Sequence, residues 1–224
     1  MVHDIFDKWF RDDALDPDKL SARVTALFAD PGMHPVTRAM WQPRLVEAIE
    51  WIAEQVEADR FAGRDVLESE IKGSIEIAGV TLKGIADRID RSERGLAIVD
   101  YKTGAPPSTK AVELGFSMQL GLLGLIAERG GFEGVSGTPT TFEYWSLAKN
   151  KTDGFGMRTS PVKAKSTTLT AENFVETAAH RFTEAAELWL TGNEPFKAKL
   201  HPEYAPYGDF DHLMRLQEWY GRES

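Results

Sequence analysis

Two short stretches hold the residues best suited to chemistry: Gly84-Ile85-Ala86-Asp87-Arg88-Ile89-Asp90 and Ile98-Val99-Asp100-Tyr101-Lys102-Thr103-Gly104. Residues two apart on a strand share a face, which makes Asp100 and Lys102 neighbours. With residues 92–95 as a hairpin loop and Gly95 taking positive φ, Arg91 pairs with Leu96 and Asp87 comes opposite Asp100. Opposed residues point the same way with Cβ atoms ~5 Å apart, so two carboxylates and an ammonium converge on one patch. A slip of one residue in register would undo that count. Carboxylates so close repel one another unless a cation lies between them, and Mg²⁺ or Mn²⁺ prefers such oxygens. A cation there would polarise a phosphate and acidify water, while Lys102 steadies charge developing on phosphorus. The competing reading is an ordinary cross-strand ion pair between Asp87 and Lys102. The second aspartate, the apolar flanks and the Thr103-Gly104 turn weigh against it.

The elements that must position these groups follow from apolar periodicity. Residues 1–62 read as helical: Ile5, Trp9 and Phe10 recur before Asp16-Pro17, a second helix covers 17–29, and a long one covers 36–61. Met40, Leu45, Ile49, Ile52 and Val56 are assigned to one face of the long helix. From Asp65 the period becomes two, giving strands over 66–77, 80–89 and 96–101 in an antiparallel meander. After Gly104-Ala105-Pro106-Pro107 a helix is predicted over 117–128, ending at Gly130-Gly131. Strands follow at 140–147 and, more weakly, 156–162. Thr170 begins a helix over 171–190 that Gly192 closes, and a short helix fits 210–220. The order predicts a single α/β domain with a mixed sheet: a helical cap over 1–62, a catalytic sheet core over 65–165, and a C-terminal helix and tail over 166–224.

Composition excludes several classes. No apolar run approaches the ~20 residues of a membrane helix, and the longest, 120–127, carries two glycines. The first residues lack the cationic start of a secretory signal, so a cytoplasmic setting is expected. With no cysteine in the chain, disulfides, thiolate zinc sites and cysteine-ligated iron–sulfur clusters are ruled out. There is no P-loop and no G-x-S-x-G turn. The net charge of −9 argues against a nucleic-acid partner, but residues 101–165 hold 8 basic and 5 acidic residues. That segment either lies along a phosphate backbone or is unremarkable scatter.

The strings G-x-x-D-R-I-D and I-V-D-Y-K-T-G, followed by a helix opening near Gln119-Leu120, resemble the RecB-like branch of the PD-(D/E)XK nucleases. The stretch Tyr207-Gly208-Asp209-Phe210-Asp211-His212-Leu213 through Glu218-Trp219 is similar to the C-terminal end of AddB, the nuclease-bearing partner in bacterial AddAB helicase–nucleases that repair double-strand breaks. The likeness runs along almost the whole chain. It implies a restriction-endonuclease-like α/β fold and Mg²⁺- or Mn²⁺-dependent hydrolysis of DNA, exonucleolytic rather than endonucleolytic. The implied substrate is a single strand or duplex end, and the implied partner is a helicase of AddA type. Residue by residue, Asp87 and Asp100 would bind metal, the Tyr101 carbonyl oxygen would be a further ligand, and Lys102 would be catalytic. Gln119 would stand near the lysine or the substrate phosphate. His3, on the first helix, would supply a nitrogen ligand, which suits Mn²⁺ better than Mg²⁺. Three departures stand out. Many AddB proteins carry four cysteines for an iron–sulfur cluster, and this chain has none. The branch often places tyrosine four residues after its glutamine, where this chain has Leu123. AddB also has a large helicase-like region upstream, as if this were an excised domain or a truncated product. The rival readings are a catalytically silent scaffold and a carboxylate metalloenzyme acting on a small phosphoester.

Other residues read more plainly. Glu68 and Glu70 are taken first as a solvated strand face, with a supporting or metal role as the alternative. Asp90 faces away from Asp87 and pairs with Arg88. Lys149, Lys151, Lys163 and Lys165 are solvated or contact phosphates. His180, His201 and His212 are structural. Trp9, Trp41, Trp51, Trp145, Trp189 and Trp219 are core residues, with stacking on a base as the alternative for one of them.

Overall fold

The computed structural model describes residues 2–29, 34–149, 154–162 and 167–196. Three helices lead, as the apolar spacing predicts: α1 (Val2–Asp13), α2 (Pro17–Ala29) and α3 (Pro35–Phe61). Pro17 and Pro35 stand at helix starts, where a missing N–H leaves no bond unmade. Phe6 and Trp9, then Leu20, Val24 and Phe28, then Leu45, Ile49, Ile52 and Val56 all turn into one core. Met40, assigned to that face, is instead 55% exposed. At ~100° per residue it lies ~140° around the helix from Leu45, so the spacing itself places it on the far side.

Alternating residues then build a five-stranded sheet in the order β1 (Asp65–Ile77), β2 (Val80–Ser92), β3 (Gly95–Lys102), β4 (Pro139–Lys149), β5 (Phe155–Thr159). The first three strands form the predicted antiparallel meander, with Ser92 paired to Gly95 and Arg91 to Leu96. Gly95 has φ +128°, a backbone state that favours glycine. The β3–β4 pair is parallel and β4–β5 antiparallel. A parallel pair needs a crossover, and α5 (Gln119–Glu128) supplies it. The short α4 (Thr109–Glu113), capped by Ser108, was not predicted; it follows the glycine- and proline-rich turn that reads as loop.

The sheet divides two cores. Val99, Tyr101, Trp145 and Leu147 meet the N-terminal helices on one face. On the other, Ile98, Phe142 and Tyr144 meet α5 and α6 (Phe174–Ala185). A side chain at Gly121 would bring its Cβ to 2.7 Å from that of Ala178, so glycine sets the close approach of α5 and α6. The predicted helix over 171–190 is observed in pieces. Thr170 and Asn173 exchange hydrogen bonds at its start, and a π-helical turn at Ala186–Leu190 ends it. The stretch 210–220 lies outside the described residues. Among those described, no helix is long and apolar enough to cross a membrane.

Under the N-terminal helices lies a buried ionic network. Asp90, fully buried, accepts two bonds from Arg88 at 2.6 Å each and one from Arg64 at 2.7 Å. Arg64 and Arg158 also reach Glu143, and Arg88 and Arg158 lie against the Trp145 ring. Asp90 thus faces away from the carboxylate patch and pairs with Arg88, as expected.

Candidate active site

The strand registers bring three carboxylates into one row. On β1 and β2, Ser69 pairs with Arg88 and Ile71 with Ala86, which sets Glu70 opposite Asp87. On β2 and β3 the ladder ends at Arg88 and Val99, and beyond it the Tyr101 N–H turns to the Asp87 carboxylate, which leaves Asp87 close enough to Asp100 for its charge to be felt there. The row is not regular sheet. Glu70 has φ +49°, a left-handed conformation that costs a residue with a Cβ of the order of 1 kcal/mol or more. On the facing strand, Ala86 packs with α5 while Arg88 lies against Trp145, so the in–out alternation slips between them. Such departures re-aim side chains, and here they turn Glu70 and Asp87 toward α1.

Two groups of side chains result. In the first, His3 Nδ1 stands 3.0 Å from Glu70 Oε1 and 3.4 Å from Asp87 Oδ1. Phe6 stacks on Tyr101 with ring centroids 4.6 Å apart, seating α1 where His3 can reach the row. The second oxygen of Asp87 accepts the Tyr101 N–H at 2.8 Å. Arg11, held by Asp7, donates to the Ser69 carbonyl at 2.6 Å, immediately before the left-handed kink. In the second group, Lys102 Nζ is 2.7 Å from Asp100 Oδ2 and donates to Gln119 Oε1 at 3.0 Å. Gln119 Nε2 closes the triangle on Asp100 Oδ1 at 2.6 Å.

The electrostatics follow from crowding. Asp87, joined by Glu70, holds the His3 imidazolium up to about 9. Burial pushes the Glu70 carboxyl above its usual range, and the charge of Asp87 adds to the rise. Asp100, 2% exposed, is likewise pushed up by burial, with Lys102 pulling the other way. Acids held so close gain from any cation between them. His3, Glu70 and Asp87 each offer a ligand atom within 4.8 Å of the others, one imidazole nitrogen and two carboxylate oxygens. That donor set fits a divalent ion of the Mn²⁺ or Mg²⁺ kind.

The structure therefore brings His3, Asp87, Asp100, Tyr101, Lys102 and Gln119 to one end of the sheet, with Asp100 outside the three-residue donor group. Glu70, read first as a solvated face, belongs to that group. Its signal was present in the sequence, because counting inward from the Ala78-Gly79 turn puts it opposite Asp87. Glu68 instead lies 3.6 Å from Arg11. Leu123 is buried in the core with α5, so no hydroxyl stands there. Tyr144 of β4, which pairs with Asp100, was not singled out; its ring lies 5.7 Å from Lys102 Nζ and burial raises its hydroxyl to about 12. His180 is exposed beside Glu184 rather than built into the core. Trp9 and Trp145 are core residues, whereas Trp41 is 51% exposed. Lys151, Lys163, Lys165, His201, His212 and Trp219 lie outside the described residues.

Among curated relatives, an uncharacterized protein of Rickettsia bellii is 47% identical over 68 residues, covering 28% of this chain and 8% of that protein. An uncharacterized protein of Rickettsia felis is 35% identical over 100 residues, covering 43% of this chain and 12% of that protein. The chain thus spans about a tenth of the length of these relatives. Residues 1–204 match the family model of the PD-(D/E)XK nuclease superfamily. That match takes in α1 with His3, the whole sheet and both helices behind it, and the chain belongs to the PD-(D/E)XK nuclease superfamily, a group of nuclease-type hydrolases.

Proposed function

We propose that this chain is a DNA nuclease that hydrolyses phosphodiester bonds with Mg²⁺ or Mn²⁺ held by His3, Glu70 and Asp87, Asp100 and the Tyr101 carbonyl standing beside them. The observation that carries the reading is the meeting of His3, from α1, with the carboxylate row, next to the Asp100–Lys102–Gln119 triangle. A bound divalent ion would supply Lewis acidity at phosphate and water. The chain's own groups do the rest. The Tyr101 N–H fixes one oxygen of Asp87 and leaves the other turned to His3. His3 gives up its proton to offer nitrogen, so binding is stronger at higher pH. Gln119 and Asp100 aim the Lys102 ammonium at the place where negative charge gathers on a phosphoryl group. In the same reading 1–62 caps a catalytic core over 65–165, and the chain acts as an AddB-type module, trimming ends exonucleolytically beside an AddA-type helicase in the cytoplasm. The much greater length of the relatives suits a module of this kind.

The test is cleavage of end-labelled single-stranded DNA in Mn²⁺ by wild type and Lys102→Ala. A loss of at least 100-fold is expected for the variant, within the range for removing one preorganised charge-stabilising group, roughly 10²–10³. A wild type that binds Mn²⁺ and DNA yet cuts no faster than Lys102→Ala would make it a scaffold.

A further inference from the structure

Arg11 and His3 of α1 meet β1 at Glu68, Ser69 and Glu70, and beyond that point the β1–β2 hairpin continues. Ile71, Ile75, Ile77 and Leu82 pack toward α5, so the alternate residues Lys72, Ser74, Lys83 and Ile85 turn the other way and are exposed. The register opposes Lys72 to Ile85 and Ser74 to Lys83. The two lysines are therefore diagonal neighbours on one face, ~7–8 Å apart at the backbone. Neither makes an ion pair with a described residue. With Gly73, Gly84, Gly131 and Glu133 they border a shallow depression of about 620 Å³. Glu133 lies on its rim, and Glu76, one rung further out, is engaged by the Thr81 hydroxyl at 2.5 Å.

Resting on the nuclease reading, we propose that this open face of the hairpin is a track for one strand of DNA on its way to or from the carboxylate row. Charge complementarity and position carry it. In a chain of net charge −9, a polyanionic substrate needs local cations, and these two are uncommitted. At ~3.3 Å per residue, Lys72 lies ~7 Å along β1 from Glu70 and Lys83 ~13 Å along β2 from Asp87. Successive phosphates of one strand would meet Lys72 and Lys83. Ile85, 47% exposed beside them, gives a sugar or base an apolar seat.

The experiment measures binding of a fluorescein-labelled 20-mer of thymidine by anisotropy in EDTA, across a salt series. Compared are wild type, Lys72→Ala/Lys83→Ala, and the charge-keeping Lys72→Arg/Lys83→Arg. Each phosphate contact on a single strand contributes ~0.7 to the slope of log K against log salt, so the alanine pair should lower it by about 1.4. The arginine pair should restore the slope, and across a substrate series the alanine pair should raise KM while its kcat stays that of wild type. An unchanged slope in the alanine pair, with wild type binding normally, overturns the track alone. A wild type that neither binds nor cuts the oligonucleotide overturns the nuclease reading with it.

Discussion

Replacing His3 by glutamine in metal-free buffer removes the imidazolium from between Asp87 and Glu70. A rise from 6.5 to about 9 corresponds to about 3 kcal/mol at ~1.36 kcal/mol per pH unit. The His3 side chain is 37% exposed, and solvent screening reduces that to about 1–2 kcal/mol. Between pH 6.5 and about 9 the folded chain keeps a proton that the unfolded chain releases, so this contribution falls as pH rises. It is fully present below 6.5 and gone once the pH has passed about 9. Urea unfolding followed by circular dichroism in EDTA, at pH 6 and pH 9.5, measures it as the difference between wild type and His3→Gln. The expected difference is about 1–2 kcal/mol at pH 6 and near zero at pH 9.5, since titrating groups remote from His3 cancel and its acid neighbours are ionised well below pH 9.5. A difference that is the same at both pH values would show that His3 is not charged between these acids and would refute the reasoning.

Two other substitutions probe how the site is built. At φ +49° a glycine is relaxed where alanine is strained, so Glu70→Gly should be about 1 kcal/mol more stable than Glu70→Ala in thermal melts, while both weaken Mn²⁺ binding by calorimetry. Arg88, 3% exposed, bridges Asp90, the Tyr101 hydroxyl and the Trp145 ring; Arg88→Met should cost about 3–5 kcal/mol in urea unfolding, and adding Asp90→Asn should recover part of it.

Local rules carried much of this molecule. A tight turn fixes a register, and counting from one such turn brought Asp87 to Asp100; the same count from the Ala78-Gly79 turn would have added Glu70, which was taken for a solvated acid. Alternation alone gave Asp90 its partner, since Arg88 stands two residues before it on the same face of one strand. What alternation could not supply was the kink at Glu70, which depends on Arg11 gripping the Ser69 carbonyl from another element. Without that kink β1 reads as an ordinary half-solvated strand, and Glu70 as one of its outward acids. Nor does any spacing announce that His3 reaches Glu70, 67 positions away; that contact depends on Phe6 settling against Tyr101. Met40 shows the opposite failure, where an apolar residue was assigned by type although its angle on the helix already excluded it.

The distance in sequence between His3 and its carboxylates also orders events in time. The meander closes through turns of two residues, whereas α1 must find a strand more than fifty residues downstream, and loop closure makes such contacts slower to form. By that rule the acids come into line before the imidazole reaches them, as a repelling row that the docking of α1 then relieves. The three-residue donor group is therefore complete only once α1 has docked on β1, and capture of a cation there reports that docking rather than closure of the meander.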